Sequence, residues 1–143
     1  MVHNITFNYL DASALVKLLV KEEKSDLLKE YLKKEEGVLL YTTSLCIGET
    51  LGVLKVKRFY RDPPLTEEQY LAASEYLLAM IDDEVIVVEE VNIGDRKIFS
   101  QIESLVKKYN LDISDVFQIV TIKEGLGLNN GNHIMIYFPR TYL

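Results

Sequence analysis

Residues 5–20 read ITFNYLDASALVKLLV, and a change of rhythm inside this stretch decides the fold. Residues 5–10 suit a short apolar strand, residues 12–20 carry apolar side chains at helical spacing, and Asp11 stands at the junction. Parallel α/β sheets gather their ligand sites at the carboxyl ends of strands, where a helix begins. Asp11 therefore lies where such a sheet places its chemistry.

The alternation continues outward from this stretch. A helix is expected over residues 12–21 and another over 25–34, with Leu27, Leu28, Tyr31 and Leu32 at helical spacing. Ser25 is the candidate N-cap of the second and Gly37 its candidate stop. A strand over 38–42 and a helix over 45–58 follow. Pro63 and Pro64 break the chain, and Thr66 to Gln69 (TEEQ) has the form of a capped helix start. A helix over 67–81, a strand over 85–88, helices over 95–109 and 113–124, and a strand over 133–138 complete the pattern. Short strands alternating with helices predict an α/β fold, a three-layer α/β/α sandwich with a mainly parallel central sheet.

Composition limits the function classes. At 143 residues and 48% hydrophobic, the chain supports one domain with a substantial core, and two ordinary domains would not fit. No apolar run approaches the ~18 residues of a membrane span, and the N-terminus does not read as a signal peptide, so a soluble cytoplasmic protein without membrane contact is expected. The net charge of −6 argues against a protein that coats nucleic acid nonspecifically. It leaves room for an enzyme acting on nucleic acid. The one cysteine, Cys46, reads as a buried apolar filler, and His3 and His133 are too isolated to form a zinc or general-base constellation.

Acids in unusual settings carry the chemistry. Glu49 lies four residues after Leu45 and four before Val53, which would place it on an inward helical stripe, with Gly48 and Gly52 allowing close helix approach. Asp115 is followed at i+4 and i+7 by Ile119 and Ile122, and Asp112 precedes Val116 and Ile119. Ordinary structural roles compete: Asp11 and Asp112 as N-caps, and Asp115 in a first turn favoured by the helix dipole. Two carboxylates 4 Å apart repel by about 1 kcal/mol in water and about 4 kcal/mol at an effective dielectric of 20. A divalent cation would offset that repulsion, and oxygen ligands suit Mg²⁺ or Mn²⁺.

Three segments, YLDASALVKLLVKEE, TTSLCIGETLGVL and LDISDVFQIVTIKEG, together resemble the PIN domain, in particular the toxin-type, VapC-like ribonucleases of toxin and antitoxin pairs. The matching positions are Asp11 with Ser13, Ser44 with Glu49, and Asp115 at the head of the late helix. The resemblance covers residues 5–123, and its strength lies in the order and setting of the motifs. It implies a PIN-like domain over 1–143 and an Mg²⁺- or Mn²⁺-dependent endoribonuclease. Asp11, Glu49 and Asp115 would be catalytic metal ligands, Asp112 an additional ligand or supporting group, and Ser13 and Ser44 would orient the ligands. The implied partners are an RNA substrate, a small antitoxin protein and a second copy in a homodimer. The helices at 27–32 and 70–78 are candidate contact surfaces.

The chain departs from the family at one point. PIN ribonucleases commonly carry a fourth acid in a Thr-x-Asp segment after the last strand, whereas Thr141 here is present without the acid, and the domain is expected to lack the usual C-terminal segment. Asp112 is the nearest substitute, with Glu89 or Glu90 a weaker one. This departure supports an alternative reading, a catalytically weak or inactive PIN-like module that binds an antitoxin, a partner protein or RNA. A receiver-like phosphoacceptor domain fits less well, because no strand-end lysine is suitably placed. Lys55, Lys57, Arg58 and Arg61 around Phe59 and Tyr60 are candidate RNA contacts, set against the plainer and preferred reading of a solvated helix end with its two aromatics buried against the core.

Overall fold

The computed structural model describes residues 6–34, 38–124 and 132–136. Four strands, β1 (Thr6–Leu10), β2 (Val38–Thr43), β3 (Ile86–Glu89) and β4 (Asn132–Ile136), form a parallel sheet in the order β3-β2-β1-β4. Six helices connect them: α1 (Ala12–Leu19), α2 (Ser25–Lys34), α3 (Ser44–Phe59), α4 (Glu67–Asp82), α5 (Arg96–Tyr109) and α6 (Ile113–Glu124). β1 is central and Phe7 to Leu10 are all buried, as expected for a strand covered on both faces.

The two layers of helices arise from strand alternation. Leu10, Leu40, Ile86 and Ile136 pack on one face against Ala14 and Leu15 of α1, Leu28 of α2, Cys46 of α3, and Leu77 and Met80 of α4. On the other face α5 and α6 join through Ile102, Val116 and Val120, and α6 rests on β2. The three-layer α/β/α sandwich expected from the sequence is therefore present. No helix among the described residues is long and apolar enough to cross a membrane.

Several boundaries move for identifiable reasons. α1 ends at Leu19, two residues early, because Val20 is extended and the buried Ser25 hydroxyl donates to the Val20 carbonyl at 3.2 Å and accepts from the Glu22 amide at 2.8 Å. Ser25 is thus the first residue of α2, with its side chain turned back on the preceding turn. The strand expected over 85–88 runs from Ile86 to Glu89, since the Val85 amide closes α4 by donating to the Met80 carbonyl at 2.9 Å. The capping box forms as read, with Thr66 Oγ1 accepting from the Gln69 amide and Gln69 Oε1 from the Thr66 amide. Gly37 and residues 137–138 of the expected last strand lie outside the described residues.

The inward stripe of α3 also differs from expectation. Cys46, Thr50 and Leu54 are the buried positions, and Glu49 flanks them half-buried, which spares a carboxylate full desolvation. Gly48 and Gly52 point to solvent, where a Cβ would meet nothing within 4 Å, so they mediate no close helix approach. Glycine inside a helix costs roughly 0.5–1 kcal/mol relative to alanine. Gly48→Ala and Gly52→Ala are each expected to stabilise the protein by about that amount, read from the urea unfolding midpoint at unchanged m-value. A loss of stability from either substitution would show that this face is covered.

Candidate active site

Asp11 is placed by two elements at once. Its backbone amide donates to the Ile136 carbonyl at the end of β4, and its extended backbone carries the chain to the first helical residue, Ala12. Its side chain caps α1: Oδ1 accepts from the Ala14 amide at 2.9 Å and from the Ser13 hydroxyl at 2.5 Å. The expected pairing of Asp11 with Ser13 is therefore a direct hydrogen bond, and the carboxylate is buried. Capping and ligation are compatible roles for one side chain, because a carboxylate has about four lone-pair positions.

Glu49 arrives from the neighbouring strand. Thr43, at the end of β2, caps α3 by accepting from the Cys46 amide at 3.2 Å, and the helix then carries Glu49 through its second turn. Ser44, at the first position of α3, is exposed. Burial pushes the Cys46 thiol up, and the carboxylates of Glu49 and Asp11 push it in the same direction, so both lie within electrostatic reach of one buried sulfur. Cys46 packs among apolar residues of the core, as its composition suggested.

Asp115 comes from the other layer. α5 ends at Asn110 in the left-handed region, a conformation asparagine tolerates, and the chain then starts α6 with Asp115 half-buried in its first turn. α6 touches both β2 and α3, which brings its layer against the helix that carries Glu49. Asp112 is exposed just before α6, and its carbonyl accepts from the Val116 amide at 3.1 Å. Among the described residues no group of three or more His, Cys, Asp or Glu side chains stands close enough to hold an ion.

The comparisons with known proteins bear on this arrangement. The sequence pattern of the PIN domain matches residues 9–125, which include Asp11, Glu49 and Asp115. The chain belongs to the PIN domain family. Among solved structures, this PIN domain is similar to the crystal structure of VapC20 from Mycobacterium tuberculosis, a sarcin-ricin loop cleaving toxin, with a TM-score of 0.61 at 14% sequence identity over 82% of each chain. At that identity the likeness speaks for the fold. No curated protein matches the sequence.

Half of the basic cluster is engaged within the PIN domain itself. Lys57 Nζ pairs with Glu22 at 2.6 Å, and the Arg58 guanidinium donates to the Leu65 carbonyl and lies over the Phe59 ring at 5.4 Å. Lys55 and Arg61 are exposed, as are Phe59 and Tyr60, so the two aromatics are not buried against the core. His3 and Thr141 lie outside the described residues, as does the side chain of His133.

Two features escaped the sequence reading. The Tyr9 hydroxyl donates to Glu89 Oε2 at 3.5 Å, and burial, then Glu89 and Tyr41, push Tyr9 up to about 12. Gln118, one helical turn after Asp115, is fully buried with neither amide atom hydrogen bonded. The first contact spans 80 residues of sequence, and no local pattern signals it.

Proposed function

We propose that this PIN domain is a metal-dependent endoribonuclease that hydrolyses RNA phosphodiester bonds as the toxin of a toxin-antitoxin pair. The observation that carries this reading is the position of the family's acids in the matched region. Asp11 follows the last residue of the central strand, Glu49 lies half-buried on α3, and Asp115 lies in the first turn of the helix packed on β2 and α3.

The donor set fits a hard divalent cation, because every candidate ligand is a carboxylate oxygen. Mg²⁺ at phosphoryl sites is usually held by one or two carboxylates, several waters and the substrate phosphate. One or two carboxylates would suffice on this account, and the proposal assigns that part to Asp11 and Glu49. When bound, Mg²⁺ or Mn²⁺ would supply Lewis-acid polarisation of the scissile phosphate and a lowered pKa for water in its shell. Asp11, Glu49 and Asp115 hold it in this reading, with Asp112 as an additional ligand from the α6 approach. Ser13 fixes the Asp11 carboxylate through their hydrogen bond, and the Ala14 amide fixes the same oxygen from the helix backbone.

The toxin reading brings a small antitoxin and a homodimer as partners. Leu27 of α2 and Leu71, Tyr76 and Leu78 of α4 are exposed and supply apolar surface for such contacts. The alternative, a PIN module that binds without cutting, draws its support from the lack of a three-residue ion cluster among the described residues. End-labelled single-stranded RNA of mixed sequence separates the two. Cutting in Mg²⁺ or Mn²⁺ that stops in EDTA and in a parallel preparation of Glu49→Gln supports the enzyme. If wild-type protein leaves the RNA intact in either metal while retarding it on a native gel, the binding-module reading stands.

A further inference from the structure

The sheet face that carries Tyr9, Tyr41 and Glu89 holds a constellation that the roles proposed for Asp11, Glu49, Asp115 and Asp112 leave unused. Tyr9 and Tyr41 are neighbours in the β1–β2 register, and their rings stack with centroids 5.3 Å apart and planes 27° from parallel. The Tyr9 hydroxyl reaches across β2 to Glu89. Tyr9 is wholly buried, whereas Tyr41 and Glu89 are only half-buried. Strand alternation puts Leu39 and Val87 on this same face, and they remain 40% and 38% exposed. The result is an aromatic ring and an oriented carboxylate at the border of an open apolar surface.

Its position relative to the acids follows from the register. Thr43 pairs with Glu89, and extending the Tyr9–Tyr41 pairing by two residues sets Asp11 beside Thr43. Asp11, Thr43 and Glu89 thus form one row across the carboxyl ends of three adjacent strands, each step about 4.8 Å. The carboxylate-bearing end of β3 is roughly 10 Å from Asp11 along this row.

The chemistry of the two groups selects an occupant. Single-stranded RNA is read by stacking unpaired bases on aromatic rings and by hydrogen bonds to their Watson–Crick edges. A carboxylate only accepts, so it discriminates by the donors it meets. Guanine presents two adjacent donors, N1–H and the N2 amino group, which one carboxylate can accept together. Adenine and cytosine each set a ring-nitrogen acceptor beside their amino group, and the uracil N–H lies between two carbonyl oxygens. We propose that Tyr41 and Glu89 form a guanine-selective subsite for single-stranded RNA, with Tyr9 as the positioning residue that aims the Glu89 carboxylate. This inference rests on the ribonuclease reading for its substrate, and its test is separable from that reading.

Glu89→Gln is the informative variant, since it keeps the size of the side chain and an oxygen for the Tyr9 hydroxyl while replacing one acceptor with a donor. First, Glu49→Gln protein in EDTA is titrated with the 5′-monophosphates of guanosine, adenosine, cytidine and uridine, followed by backbone amide chemical shifts. Guanosine monophosphate is expected to shift amides of residues 39–43 and 86–89 at concentrations about tenfold or more below the others, with the preference lost on adding Glu89→Gln. Equal response to all four, or guanosine shifts confined to another region, overturns the subsite. Second, cut positions are mapped on mixed-sequence RNA in Mg²⁺. Wild-type cuts are expected at a fixed offset from guanine, and Glu89→Gln is expected to redistribute them.

Cutting with no base register overturns the subsite and leaves the ribonuclease reading standing. Guanosine-selective binding without cutting does the reverse. If Tyr41→Ala dissociates a dimer while base preference persists, the patch serves a second copy of the chain, and the subsite is likewise overturned.

Discussion

Asp11→Asn is expected to abolish RNA cleavage and leave the stability of the protein nearly unchanged. Asparagine and aspartate are about equally good N-caps, so the amide oxygen can still accept from the Ala14 amide and hold the start of α1. What would disappear is the charge that, on the proposed function, attracts a divalent cation. Groups that merely orient a metal ligand typically change activity about 10- to 100-fold, so a direct carboxylate ligand should exceed 100-fold. Ser13→Ala, which removes the hydroxyl donated to Asp11, belongs in the lower range. Asp11→Ala should add a loss of about 1 kcal/mol in stability, because alanine cannot cap. Initial cleavage rates and urea unfolding curves on the three variants give the comparison. If Asp11→Asn cuts at a rate within a few-fold of wild type, Asp11 is only a cap.

Glu22→Gln should have the largest effect on stability among exposed-side substitutions, because Glu22 joins three elements. Its carboxylate, in the turn after α1, accepts from Lys17 of α1 at 3.0 Å and from Lys57 of α3 at 2.6 Å. The lysine side chains are only 13% and 27% exposed, so neutralising Glu22 leaves two positive charges partly desolvated beside each other. A cost on the order of 1–3 kcal/mol follows for these charge-assisted bonds, reduced toward the lower end by solvent access. Burial alone would raise the Glu22 carboxyl, but the ammonium groups of Lys57 and Lys17 outweigh it and hold the group below its ordinary value of 4.5. A carboxyl depressed in the folded state contributes fully above its unfolded pKa and loses that contribution as pH falls through the folded value. Wild-type stability should therefore drop more steeply than that of Glu22→Gln from about pH 5 downward, with parallel curves above it. Denaturant unfolding at a series of pH values reads the difference, and identical pH dependence in the two proteins would remove Glu22 from the account.

These two carboxylates show opposite degrees of legibility. Asp11 was visible because strand, cap and helix are consecutive in sequence, and the change from apolar run to helical period happens at that residue. Lys57 was read as a candidate RNA contact because only its neighbours Lys55, Arg58 and Arg61 are local, while Glu22 lies 35 positions earlier. Its ion pair exists because α1 packs on α3. Glu49 stands between these cases: the helix was evident, but Cys46, Thr50 and Leu54 face inward and the acid flanks them. The period gave the helix without fixing its rotation, which depends on the shape of the partner surface.

By itself, the sequence determined the kinds and order of elements, the parallel α/β class, the Thr66 capping box and the local settings of Asp11, Glu49 and Asp115. Each of these is encoded by spacing over a few residues, where backbone hydrogen bonding and side-chain periodicity act directly. The tertiary structure decided which strand lies in the middle, where α1 stops and β3 begins, and which charges are paired. It also set Tyr9 beside Glu89 across 80 residues of chain. Those outcomes depend on contacts closed by packing two helical layers on one sheet, and such contacts leave no periodic trace in the sequence.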